Sequence, residues 1–234
     1  AKHHPDGPKH ILWVVAQNTP LNKENTGVSA AQVEQKRRRW LQRHDQDTAG
    51  ISSLLPLYEG LRVRVTDKMN RRLGILKHCS GTVVGWELHP ADRLMGRTAE
   101  RMLQYHPSCI YVSFAGATWK LNDELGVGVY PLKAVTRTRV VNHKIEVKAS
   151  RRGSQLLPDY ACTDHMVQGM TLLAALVDCL GVHEYPALKG MLAAYVALSR
   201  VKSANGMRLI RAFAFALFRQ GPPPGPHILM QMLR

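Results

Sequence analysis

Residues 159–172 read DYACTDHMVQGMTL, and residues 193–203 read AAYVALSRVKS. The first run places a hydroxyl (Thr163), a carboxylate (Asp164), an imidazole (His165) and a carboxamide (Gln168) ahead of Gly169. Such a set offers donors and acceptors to a polar ligand, and glycine admits close approach of backbone. The second run reads as a core helix ending on Arg200, a planar donor fork that keeps its charge. His165 taken alone reads better as a satisfied structural histidine, and Arg200 alone can be a surface arginine paired with an acid. What decides between these readings is the set of elements that position the residues.

The remaining reactive groups are sparse. The cysteines Cys79, Cys109, Cys162 and Cys179 show no CxxC pairing, which argues against a disulfide framework and for a reducing compartment. His78-Cys79 and His106-x-x-Cys109 lack the second half-site that zinc requires, so no metal site is expected. His3, His4 and His10 read as solvated loop. No run reaches the roughly 18 apolar residues of a membrane span. Net charge is +15. Residues 61–150 carry 15 Lys/Arg against 7 Asp/Glu, an excess of +8, the largest share along the chain. Such an excess fits nucleic acid or simply a soluble basic surface.

The pattern of elements changes along the chain. HILWVVAQN (10–18) predicts a buried strand. SAAQVEQKRRRWLQRHDQD (29–47) predicts a helix capped by Ser29, whose KRRRW run is either a solvated face or a phosphate contact. LRVRVTD (61–67) alternates, placing Val63 and Val65 on one face and Arg62 and Arg64 on the other. SGTVVGWEL, CIYVSFAG, VGVYPLKAV, TRTRVVN and IEVKAS continue a series of short strands that suggests a small barrel. HPADRLMGRTAERMLQYHP (89–107) reads as loop with one helical turn, and Asp123-Glu124 as a turn. Beyond it, TLLAALVDCL and LKGMLAAYVALSRV read as helices and MRLIRAF (207–213) as a strand. GPPPGP (221–226) breaks the chain. α/β material thus brackets an all-β insert. With 45% hydrophobic residues, the chain can bury a real core.

The order strand, Thr-x-His-x-x-Gln-Gly-x-Thr, helix, Tyr-Val-Ala-Leu-Ser-Arg resembles the last two motifs of superfamily 1 DNA helicases of the Pif/RecD type. Ala161, Thr163, His165, Gln168, Gly169, Thr171 and Leu172 carry the fifth motif, and Tyr195 to Arg200 the sixth. Residues 55–86, with Gly60, Val63, Val65, Gly74 and Gly81-Thr82-Val83, resemble the family's entry into an SH3-like barrel. RRGSQLLPDYAC resembles its exit, and VVAQN resembles the fourth-motif strand with Asn18 in place.

The resemblance implies an α/β fold: a RecA-like lobe with an inserted small SH3-like β-barrel. It divides the chain into 1–56 (first part of the second RecA-like lobe), 57–150 (barrel), 151–218 (remainder of the lobe) and 219–234 (tail). It implies that Arg200 reaches the γ-phosphate of ATP, where charge develops in the transition state, with Gln168 and Gly169 beside the nucleotide. Thr163 and His165 would face single-stranded DNA, with Asn18, Arg62, Arg64 and Lys68 adding contacts. Trp86 or Trp119 would either stack a base or fill the barrel core. ATP and Mg2+ would be held mainly by a first RecA-like lobe of the same protein, in an intracellular, DNA-containing compartment such as the nucleus.

The sequence departs from that pattern in three places. Asp164, Met166 and Val167 stand where the family has an apolar residue, Lys and Ser. Leu76-Lys77-His78 stands where it has Val-Asn-Gly. No G-x-x-x-x-G-K-S/T loop occurs. The chain by itself is therefore not expected to hydrolyse ATP, and it reads as a piece of a longer protein. A catalytically inactive nucleic-acid-binding module of the same ancestry is the alternative, and a basic structural protein a third.

Overall fold

The computed structural model describes residues 10–20, 30–43, 48–93, 100–142, 147–178, 188–211, 219 and 231–232. The chain forms two compact units, Ala1–Tyr160 and Ala161–Arg234. Ser29, residues 44–47 of the expected first helix and the GPPPGP break lie outside the described residues.

The first unit begins with β1 (Ile11–Val15) and β2 (Gln17–Pro20), followed by α1 (Ala30–Leu41) and β3 (Leu54–Leu57). It continues through β4 (Arg62–Val65), β5 (Ser80–Glu87), α2 (Pro90–Arg93) and β6 (Glu100–Met102). β7 (Cys109–Ser113), β8 (Val129–Leu132), β9 (Val135–Asn142), β10 (Val147–Gly153) and β11 (Leu156–Pro158) complete it. The strand expected over 10–18 divides at Ala16, whose N–H donates to the Ser53 carbonyl at 2.9 Å. β1 joins the sheet β3-β1-β6, and β2 joins β2-β10-β9.

The strands expected to build one barrel are shared between sheets. β4, β5, β7 and β8 form an open antiparallel sheet in the order β11-β4-β5-β7-β8. β10 pairs instead with β2 on one side, with Arg151 opposite Asn18, and with β9 on the other. Among the described residues no sheet closes on itself into a barrel. The alternation in β4 is as the sequence predicts: Val63 and Val65 are buried, Arg62 is exposed and Arg64 half-buried. Leu57, Leu61, Val63, Val83, Val112 and Leu156 share one core and leave no accessible surface. Apolar burial of this kind stabilises by about 25 cal/mol per Å2. Asp123 and Glu124 lie in a turn, as expected.

The second unit holds β12 (Ala175–Asp178), α3 (Leu188–Leu198) and β13 (Met207–Arg211), with 3-10 turns at Asp164–Val167 and Ala204–Gly206. β12 and β13 pair in parallel. The helix expected over 171–180 is thus a strand at Ala175–Asp178. A strand in a parallel pair reads as a continuous apolar run, which periodicity cannot separate from a buried helix. Here the pairing with Met207–Arg211 decides. Met191 and Ala194 of α3 pack on Val177, with Ala175, Ala197, Leu198 and Met207 around them. Among the described residues no helix is long and apolar enough to cross a membrane.

Candidate nucleotide and nucleic-acid site

The polar run folds as a tight turn because its backbone closes on itself. Thr163 is extended (φ −77°, ψ 157°), and its carbonyl accepts the N–H of Met166 at 3.0 Å. The Val167 carbonyl accepts the N–H of Met170 at 3.0 Å. Gly169 then takes φ +81°, with nothing within 4 Å of the place a Cβ would occupy. Conformation rather than space therefore selects glycine there. Thr163, Gln168 and Gly169 are exposed. The His165 and Asp164 side chains lie outside the described set.

Arg200 closes α3 and meets this turn. Its Nη1 donates to the Met170 carbonyl at 3.4 Å, its Nε to the Val196 carbonyl at 3.0 Å, and its Nη2 to Ser199 Oγ at 2.8 Å. The N–H of Leu172 donates to the Arg200 carbonyl at 2.7 Å, and the N–H of Lys202 to the Leu172 carbonyl at 3.3 Å. Leu172 and Val201 form a parallel bridge. The turn after Gly169 and the helix end at Arg200 are thus fastened together by main chain as well as side chain. Among the described residues Arg200 makes no ion pair with an acid. These bonds use three of the five guanidinium N–H groups. The half-buried fork is held in place with donors left for an anion.

The basic residues expected to contact DNA divide in the first unit. Arg62 and Lys68 are exposed. Arg64 is not presented to solvent in the same way. Its side chain is 16% exposed and ion-paired with Asp159, itself 7% exposed, and Asp159 also accepts from Ser80 Oγ at 2.5 Å. Asn18 is 8% exposed, and its Oδ1 accepts Arg151 Nε at 2.8 Å. Both are engaged inside the fold, because each has a long-range partner that local pattern does not reveal. Trp86 and Trp119 pack against the core, and Trp119 Nε1 donates to the Leu73 carbonyl at 3.1 Å. In the KRRRW run, Arg38 and Arg39 are exposed, and Arg38 lies 3.5 Å from Glu34 one turn away.

Sequence reasoning missed Arg151. It is 2% exposed. Its Nη1 donates to the Ile51 carbonyl at 3.3 Å and to Ser53 Oγ at 2.9 Å, and its Nη2 to the Trp40 carbonyl. Burial, then the charges of Arg139 and Arg43, push its pKa down to about 10. The available signal was a cation in a strand two residues before a glycine, in the run RRGSQ. Gly153 there has no room for a Cβ, which would stand 2.5 Å from Ile51 Cγ2. Among the described residues no group of three or more His, Cys, Asp or Glu could hold a metal. The donors at Arg200, Gln168 and Gly169 suit phosphate oxygens rather than a magnesium ion, which takes oxygen ligands.

Comparison with protein-family models and with curated protein sequences found no match. Solved structures do match. A Bacteroides Pif1 bound to single-stranded DNA aligns with a TM-score of 0.55 and 15% identity, over 97% of this chain and 40% of its own. The Pif1 helicase from Candida albicans aligns with a TM-score of 0.51 and 15% identity, over 96% of this chain and 44% of its own. The Bacteroides Pif1 in complex with ADP-AlF3 and single-stranded DNA aligns with a TM-score of 0.51 and 16% identity, over 87% and 43%. The fold is a mixed α/β arrangement of sheets similar to part of a Pif1 helicase. This chain spans less than half the length of those structures.

Proposed function

We propose that the chain is the second RecA-like lobe, with its SH3-like insert, of an ATP-dependent DNA helicase. In this reading residues 1–56 and 151–218 belong to the lobe, 57–150 to the insert and 219–234 to a tail. A first lobe of the same protein supplies the phosphate loop and the ligands for Mg2+. Arg200 completes the nucleotide site by meeting the γ-phosphate oxygens as charge develops on them, with Gln168 and Gly169 alongside. Thr163, His165, Arg62 and Lys68 contact the phosphates of single-stranded DNA. Asn18 and Arg64 support those surfaces through Arg151 and Asp159.

The observation that carries this reading is the bond from Arg200 to the Met170 carbonyl, one residue beyond Gly169. A cation reserved for a ligand must be aimed by neutral groups rather than cancelled by a carboxylate, and Arg200 is so aimed. The test is DNA-stimulated ATP hydrolysis by a protein joining this chain to a phosphate-loop lobe, with Arg200→Ala as the variant. Turnover falls by orders of magnitude while DNA binding is retained; unchanged turnover sinks the assignment.

The second reading is an inactive nucleic-acid-binding module. Met166 in place of a lysine, beside Asp164, favours it by removing positive charge from the turn. It expects salt-steep binding of single strands and no ATP hydrolysis even with a first lobe present.

A further inference from the structure

Leu73, Ile75, Phe114, Ala115, Thr118 and Trp119 line a cavity of about 350 Å3 in the first unit. That volume sits at the low end of the roughly 300–1,000 Å3 typical of ligand sites and has room for a planar ring system. Its aromatic wall is fixed. The bond from Trp119 to the Leu73 carbonyl joins it to the neighbouring loop, and Tyr130 meets the indole edge-on, centroids 6.3 Å apart at 88°.

The loop from Asn70 to Cys79 is also built in advance. Asn70 Oδ1 accepts the N–H groups of Arg72 and Leu73 at 3.1 and 3.2 Å. Asn70 and Ile75 exchange backbone hydrogen bonds at 3.1 and 2.9 Å. Cys79 Sγ donates to the Gly74 carbonyl at 3.5 Å. At Gly74 nothing lies within 4 Å of a Cβ position, so the wall is open there.

This loop is one-signed. Arg71, Arg72 and Lys77 are exposed, and residues 68–86 contain no Asp or Glu. Burial, then Lys77 and Arg64, hold the His78 imidazole below its usual range, in keeping with a positive local field. An apolar ligand has no need of the cations, and a bare phosphate has no need of the indole. A base with its flanking phosphates uses both.

We propose that this cavity receives one base of a single-stranded nucleic acid, with Arg71, Arg72 and Lys77 on the adjoining phosphates. The inference rests on the nucleic-acid part of the function proposed above. Its test compares binding of the whole chain to oligothymidylate and to a strand of equal length lacking bases, by fluorescence anisotropy over a salt series. The base-free strand binds roughly 10-fold or more weakly, the worth of one stacked base. Ala115→Phe, which fills the cavity from an exposed position, removes that preference and leaves the salt slope unchanged. Thr118→Phe does the same from a second exposed position and serves if the first variant loses its circular dichroism. Arg71→Ala, Arg72→Ala and Lys77→Ala each lower the salt slope by ~0.7 while keeping the preference. Equal binding of the two strands by the unaltered chain overturns the base site alone. A preference that survives in a folded, filled variant does the same. Binding of neither strand overturns the base site together with the nucleic-acid reading beneath it.

Discussion

Arg151 and Arg200 both bond backbone carbonyls and both lack a carboxylate partner among the described residues, yet they are placed very differently. Arg151 is 2% exposed and ties β10 to Asn18 in β2, to Ile51 and Ser53, and to the end of α1 at Trp40. Arg200 is half-buried at the end of α3 and is steered by the Met170 and Val196 carbonyls. The first is enclosed by its acceptors and can serve only the fold. The second bonds the described residues through only three of its five N–H groups. Their units differ in the same sense. The first has residues such as Leu57 and Val63 with no exposure, whereas among its described residues the second buries Val177, Met191 and Ala194 and leaves Leu173 82% and Leu176 68% exposed.

The strongest way to break this contrast is to remove each guanidinium in turn. Arg151→Met strands several buried acceptors at once and is expected to cost about 3–5 kcal/mol. Arg200→Met is expected to cost at most about 1 kcal/mol. Urea unfolding measures both, and similar losses would erase the distinction. Next in size, Leu57→Ala should cost about 2–5 kcal/mol through lost burial and a cavity, while Leu176→Ala at its exposed site stays within about 0.5 kcal/mol.

A pH series sharpens the same comparison. His106 in the first unit is 8% exposed, with Nε2 3.0 Å from the Arg152 carbonyl. Burial, only partly opposed by that bond, holds its pKa below the ordinary 6.5. The folded state therefore favours the neutral ring, and the unfolded chain takes up the proton first. The contribution of His106 is fully present above about pH 6.5 and is lost as pH falls from there toward the folded value. Thermal unfolding should show that acid-side loss, and His106→Gln should remove it.

The smallest expected effects lie on the surface of β4 and the turn after it. Arg62→Ala and Lys68→Ala should each lower the salt slope of single-strand binding by ~0.7 without changing stability. Arg64→Ala should instead destabilise, because it leaves the Asp159 carboxylate 7% exposed and without its cation. A loss of slope equal to that of Arg62→Ala, with stability intact, would place Arg64 on the nucleic acid after all.

What the sequence made legible was local. The alternation of Val63 and Val65, the α3 pattern and the β13 strand all came from periodicity. The polar turn before Met170 was legible from its residue types instead. The partners that fix registers were not legible. Arg64 meets Asp159 across 95 residues, and Arg151 meets Asn18 across 133. No local window contains such pairs. The same limit explains the misreading of Ala175–Asp178 as helix, since its strand partner begins at Met207. It also explains why six strands expected to form one barrel are shared between two sheets. A short strand announces its own two faces but not its neighbour.

DNA-stimulated ATP turnover, measured in a protein that joins this chain to a phosphate-loop lobe, tests the central claim most directly. If Arg200 is the cation held ready for the γ-phosphate, Arg200→Ala lowers turnover by roughly 10³-fold or more. Single-strand affinity is then unchanged, and stability falls by no more than about 1 kcal/mol. Turnover that survives the substitution, or falls only in step with stability, contradicts the account.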